Sequence, residues 1–185
     1  MEKITLKDFL KLNKSALLGK IVCFPTDTVY GVGALFNDEQ AINKIYAMKK
    51  RDAGKPLVNL CSSIEQITDL RIAIDQKARQ LMAKYWPGAL TIVLCQNAQT
   101  ISFRMPASSI ALSIIDRFSL MATTSVNESG EPELNSLDEI EKRFFDKIDY
   151  FILDRASFSK TPSTVVKVCD NEITVLRQGQ IDVFK

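Results

Sequence analysis

An α/β fold built on a twisted mixed sheet is what this sequence predicts, and three observations carry the prediction. Segments with apolar residues at helical spacing alternate along the chain with short β-branched runs. Several of those runs are neighbours in sequence with no helix between them, which a strict parallel β-α-β array does not allow. No Pro/Ser-rich linker or low-complexity tract divides the 185 residues. Residues 1–185 therefore read as one domain, long enough to bury a core.

Each element has its own justification. Leu6, Phe9, Leu10, Asn13 and Leu17 trace one helical stripe, and Gly19 is its stop. "IVCFP" reads as a buried strand ended by Pro25, and "TDTVYGVG" as the loop after it. Ala41, Ile42, Ile45 and Tyr46 mark a second amphipathic helix, begun by Asn37 or Asp38. Its last turn, Lys49–Arg51, sets cations against the helix dipole. A strand "PLVNLC", a short helix around 64–70 and a helix from Asp75 to Tyr85 follow. "WPG" breaks that helix before the strand "ALTIVLC". "ISFRMP" alternates as a strand should, with Ser102 and Arg104 on one face and Phe103 and Met105 on the other. A helix over 109–117, a strand "LMATTSV" and a polar loop "NESGEPELN" come next. The following helix opens on Ser136, with Glu139 placed to complete a capping box. "YFILD", "STVVKV" and "ITVLR" close the chain as strands.

Composition narrows the chemistry. Hydrophobic residues make up 46% and charged residues 25%, as in ordinary globular proteins, and the net charge of +2 gives no global field for nucleic acid or membrane. With no histidine in the chain, the commonest general base and most transition-metal sites are excluded. Cys23, Cys61, Cys95 and Cys169 form no C-x-x-C pair, and each sits in or beside an apolar run. They read as four buried free thiols. The first twenty residues are not a secretory signal, and no run reaches membrane-spanning length. The expectation is a reduced, cytosolic protein with no membrane partner.

Three polar stretches interrupt this apolar framework. "PTDTVYGVG" follows a strand and carries hydroxyls at Thr26, Thr28 and Tyr30, with Gly31 and Gly33 letting the backbone approach a ligand. It is neither a Walker loop nor a full dinucleotide fingerprint, and a simple turn explains it equally well. "MKKRDAGKPL" gathers Lys49, Lys50, Arg51 and Lys55. A solvated helix end accounts for such a run, and so does a polyphosphate cradle, with Arg giving bidentate contacts and Lys a point charge. "TTSVNESG" places Ser125 and Asn127 two apart at a strand's exit. Their side chains, with the amides near Ser129 and Gly130, form either a polar turn or a collar for a phosphate or oxyanion.

Taken together, "FPTDTVYGVG", the K-x-R of Lys49 and Arg51 followed by "KPL", "WPGALT", "FRMP", the S-x-N of Ser125 and Asn127 followed by "ESG", "PSTVV" and "LRQG" occur in a familiar order. The chain resembles the YrdC-type threonylcarbamoyl-AMP synthases, in their short single-domain form, over roughly residues 15–180. The resemblance implies a twisted mixed sheet with helices on one side and a large concave, positively charged cavity. It implies an ATP-dependent nucleotidyltransferase that converts L-threonine, bicarbonate and ATP, with magnesium brought by ATP, into threonylcarbamoyl-AMP and pyrophosphate. Downstream tRNA threonylcarbamoyl-transfer proteins would use that product to modify the adenosine beside the anticodon.

Residue by residue, the resemblance puts Arg51, Lys55, Thr100, Ser125 and Arg177 on ATP. It puts Thr28, Arg104, Thr123 and Ser163 on threonine, with Tyr30 at the pocket floor. Lys49, Arg51, Ser125 and Asn127 would form the reaction centre, with no metal bound by protein ligands alone. Asp52 replaces the proline common after K-x-R, and Leu60 stands where some longer relatives carry a histidine. Two other functions fit the same surface: a non-catalytic module holding tRNA or other RNA in the basic concavity, and a carbamoyl-transfer domain like those within hydrogenase-maturation proteins.

Overall fold

The computed structural model describes residues 1–96, 99–154 and 159–185. In chain order the strands are β1 (Glu2–Ile4), β2 (Val22–Pro25), β3 (Tyr30–Leu35), β4 (Val58–Leu60), β5 (Leu90–Gln96), β6 (Gln99–Arg104), β7 (Met121–Ser125), β8 (Tyr150–Ile152), β9 (Thr164–Cys169) and β10 (Glu172–Arg177). The helices are α1 (Leu6–Phe9), α2 (Glu39–Lys49), α3 (Glu65–Thr68), α4 (Gln76–Tyr85), α5 (Ser109–Phe118) and α6 (Leu137–Phe144), with a 3-10 turn over Lys14–Leu17. Among the described residues these strands form one mixed sheet in the order β1-β8-β2-β3-β7-β4-β6-β5-β9-β10.

Most predicted elements are present, and the differences have local causes. The expected first helix is two short pieces, because Asn13 adopts extended backbone between them. Asp38 caps α2 by accepting from the Ala41 amide, and Lys50 ends it in the left-handed region at φ 50. Ser136 caps α6 through the Glu139 amide, while the Glu139 carboxylate turns to the Ser136 hydroxyl. That leaves the capping box half made. The segment expected as a loop after β2 becomes strand from Tyr30 onward, pairing antiparallel with β2 and with β7. The cysteine expectation is corrected too. Leu94 and Val168 are partners on the parallel pair β5 and β9, and the residues after them, Cys95 and Cys169, form a disulfide with Cα atoms 5.3 Å apart. Cys23 and Cys61 are free and buried, and burial holds both thiols above the usual range, Cys61 at about 12.

Strand alternation sorts the core into two faces. Cys23, Val32, Ala34 and Ala122 point to one face, where α2 and α6 cover them through Ala41, Ile45, Ile140 and Phe144. The same face continues through Ile92, Phe103 and Val166 under α3 and α4. Val22, Phe24, Leu35 and Met121 point the other way, into Phe9 of α1 and Ile110, Ile114 and Ile115 of α5. The expectation of helices on one side therefore needs amending: α1 and α5 cover one end of the second face. The remainder of that face, from β3 across β7, β4, β6, β5 and β9, is open and concave.

Candidate active site

A cavity of about 270 Å3 occupies this open part of the sheet. Its walls take the inward position of each strand in turn: Gly31 of β3, Ser125 and Thr123 of β7, Val58 and Leu60 of β4, Ser102 and Arg104 of β6, Thr91 and Val93 of β5, Val165 of β9. Three arginines line it, Arg51, Arg104 and Arg177, and no carboxylate lines it among the described residues. A cavity with those walls selects for anionic groups.

One end is built around Arg104, 6% exposed. Its Nη2 pairs with Asp27 Oδ1 at 2.6 Å, Nη1 donates to Thr28 Oγ1 at 2.8 Å, and Nε donates to the Gly88 carbonyl at 3.0 Å. These bonds use three of the five guanidinium N–H groups and fix its plane. Burial pulls the Arg104 guanidinium down from its ordinary value, and the Asp27 carboxylate opposes that. Thr26 Oγ1 donates to the Val29 carbonyl, so the Thr28 hydroxyl donates to Thr26 across 3.1 Å. Sequence reasoning missed Asp27 and Gly88, although both lie within quoted motifs. An acid between two threonines at a strand's end was the available signal.

The other end is more open. Arg51 leaves the αL turn of Lys50 and is braced by the carbonyls of Lys55 at 2.8 Å and Pro56 at 3.2 Å. Arg177 faces it, donating from Nε to the Ser163 carbonyl and from Nη2 to Ser163 Oγ, which also meets Thr91 Oγ1 at 2.8 Å. Burial lowers Arg177, and the Arg51 charge lowers it further against the pull of Glu133. Glu133 is an acid the sequence reading passed over. At Gly179, in "LRQG", a Cβ would lie 2.5 Å from the Pro162 carbonyl oxygen, so the bare backbone lets this segment close on Ser163.

Of the twelve residues expected in the site, Arg51, Thr100, Ser125, Arg177, Thr28, Arg104, Thr123 and Ser163 line a single cavity. The other four expected site residues do not line it. Lys49 is 1% exposed behind the wall, and its Nζ donates to the Ser125 carbonyl at 2.5 Å, the Asn127 carbonyl at 2.8 Å and Asn127 Oδ1 at 2.6 Å. Asn127 is buried with it. Tyr30 occupies the outward parity of β3, so its ring stacks at 5.7 Å on Phe151 in the opposite core instead of forming the floor. Lys55 is exposed on the rim beside Pro56. The collar expected from the Ser129 amide is also absent, since that amide donates to the Lys49 carbonyl. Lys50 pairs with Glu128 at 2.7 Å on the surface.

The class these features define is an α/β protein with one mixed sheet whose open face holds a cavity walled by arginines and hydroxyls. Comparison with known proteins narrows the class. The family model named for Sua5, YciO and YrdC, described as "Telomere recombination", matches residues 16–179, and the chain belongs to that family. A protein of Methanocaldococcus jannaschii is 34% identical over 195 residues, covering 100% of this chain and 90% of that one. A Pyrococcus abyssi protein named threonylcarbamoyl-AMP synthase is 36% identical, covering 87% of this chain and 51% of its own length. The crystal structure of P. abyssi Sua5 complexed with L-threonine superposes with a TM-score of 0.86 at 31% identity, covering 97% of this chain and 58% of that one. This chain therefore spans about half the length of the P. abyssi relative. No helix among the described residues is long and apolar enough to cross a membrane.

Proposed function

We propose that the chain is an L-threonylcarbamoyladenylate synthase acting within the cytoplasm. It joins L-threonine and bicarbonate to the AMP part of ATP and releases pyrophosphate. The observation that supports this reading above others is the meeting of a buried arginine end and an open arginine end in one cavity. Arg104 presents its two remaining N–H groups to an amino-acid carboxylate. Arg51 and Arg177 face each other where a triphosphate would need two cations, with Thr100 and Ser163 beside them.

The chemistry asks for placement and charge neutralisation. The threonine amine attacks the bicarbonate carbon, an N–C bond forms, and water leaves. A carbamate oxygen then attacks the α-phosphorus, and the bond from that phosphorus to the bridging oxygen of pyrophosphate breaks. Arg104 holds the amino acid still, and Arg51 and Arg177 stabilise charge on the leaving pyrophosphate. No group of three or more His, Cys, Asp or Glu side chains among the described residues could hold a metal ion. Magnesium is accordingly read as arriving with the triphosphate, where it supplies further charge neutralisation. Partner proteins that pass the threonylcarbamoyl group to tRNA would take the product.

The test is pyrophosphate release by the purified protein. With ATP, L-threonine and bicarbonate the rate should be clear, and omitting threonine should stop it. Threonine-independent release would favour the carbamoyl-transfer reading, and no release under any condition would favour an RNA-holding module.

A further inference from the structure

The polarity of the cavity wall at β7 is set from behind. Lys49 Nζ is a donor only, and it fixes which atom of the Asn127 amide is the oxygen. The amide nitrogen confirms the orientation independently, because Nδ2 donates to the Glu131 carbonyl at 2.6 Å. Asn127 Oδ1 is therefore turned toward Ser125, and the Ser125 hydroxyl donates its proton to it at 2.7 Å. A hydroxyl has one proton. Once that proton is committed inward, Ser125 Oγ shows the cavity lone pairs alone.

Thr123 is oriented the same way, since its hydroxyl donates to the Met121 carbonyl at 3.0 Å. At Ser125 and Thr123 the β7 wall thus offers acceptors to a cavity whose charged groups, Arg51, Arg104 and Arg177, are all donors. Phosphate and carboxylate oxygens are acceptors and gain nothing from lone pairs pointed at them. An O–H or N–H of the ligand does.

We infer that Lys49 is a positioning residue that, through Asn127, holds Ser125 as a hydrogen-bond acceptor, and that Ser125 reads an O–H or N–H donor of the bound substrates rather than a phosphate oxygen. This rests on the ATP-plus-threonine reading of the cavity. It assigns the paired cation of K-x-R two different tasks: Arg51 meets anions, and Lys49 meets only the protein.

A double-mutant cycle on binding tests it, with ATP and L-threonine titrated separately and together into the full chain. Lys49→Met and Ser125→Ala should each weaken the same ligand by roughly 10-fold or more. The double variant should be no weaker than about 3-fold below the worse single one, because Lys49 acts through Ser125. Ser125→Thr, which keeps the acceptor, should restore most of the loss. Where Lys49→Met alone fails to fold, Lys49→Met/Asn127→Leu removes both buried polar partners and takes its place in the cycle. Losses that multiply would mean that Lys49 touches the ligand itself, which overturns the inference. So would Ser125→Ala binding as wild type. Wild-type protein that binds neither ligand would instead overturn the functional reading, and this inference with it.

Discussion

The two ends of the cavity are held in different ways. At the Arg104 end the cation is buried, and an acid, a hydroxyl and a carbonyl converge on one guanidinium. At the other end Arg51 and Arg177 stand partly in solvent, braced by backbone carbonyls and, for Arg177, the Ser163 hydroxyl, and among the described residues no carboxylate is hydrogen-bonded to either. The first end is finished before any ligand arrives. At the second, Glu133 acts on Arg177 without a hydrogen bond to it, and the two guanidiniums keep N–H groups free for a polyanion under the proposed function. Under the proposed function, rigid recognition of a small amino acid and looser capture of a highly charged nucleotide would ask for that contrast.

Removing Arg104 should have the largest effect. Arg104→Met should abolish threonine-dependent pyrophosphate release, by about 1,000-fold, and should leave ATP binding within a few fold of wild type. Asp27→Ala should cost about 3 kcal/mol in urea unfolding, since it leaves a buried guanidinium without its counter-charge. Equal loss of both ligands on removing Arg104 would erase the distinction between the ends.

At the open end, Arg51→Ala and Arg177→Ala should each weaken ATP by about 10-fold to 100-fold while the melting temperature stays near wild type, because both side chains are partly exposed and make only neutral hydrogen bonds, to carbonyls and the Ser163 hydroxyl. Raising the salt concentration should weaken wild-type ATP binding more than threonine binding.

Between the two ends lies the β3–β7 floor. A Cβ on Gly33 would meet Thr123 Oγ1 at 2.8 Å and Phe24 at 3.3 Å. Gly33→Ala should therefore destabilise the fold by about 1–3 kcal/mol, measured by urea unfolding.

The Lys49 strut gives a pH signature. Burial, and secondarily the Arg51 charge, lower its ammonium to about 8, from an unfolded value near 10.5. Between those values the unfolded chain binds more protons than the folded one, so stability rises with pH across that window. The melting temperature of wild type relative to Lys49→Met should climb from pH 8 to pH 10. A flat difference would show that Lys49 keeps its full affinity for the proton. The smallest effect belongs to Lys50→Ala, which removes an exposed pair with Glu128 and should change stability by under about 0.5 kcal/mol.

Periodicity made most of the fold legible: α2, α4, α5 and α6 and the strands β2, β5, β6, β7, β9 and β10 lie where apolar spacing put them. β1 was missed because three residues, two of them charged and exposed, carry no apolar pattern. In the site, Arg104 and Ser102 were placed on a shared face by alternation alone, and that face is the cavity wall. Tyr30 was put at the pocket floor by the resemblance, and because its segment was read as a loop, no strand parity was assigned that would have turned it to the other face. Lys49 and Arg51 were both placed at the reaction centre by the resemblance. The αL turn at Lys50 separates them, sending one behind the sheet and the other to its open face. The Cys95–Cys169 pairing depends on which strands become neighbours, and residues 74 apart give no local signal of that.

The most direct test is calorimetric: the melting temperature with ATP alone, with L-threonine alone and with both at the same concentrations. Ligands sharing one cavity, with bicarbonate present, should raise it together by more than the sum of their separate shifts. Shifts that simply add, or a threonine shift unchanged by Arg104→Met, would contradict the joining of the two ends in one site.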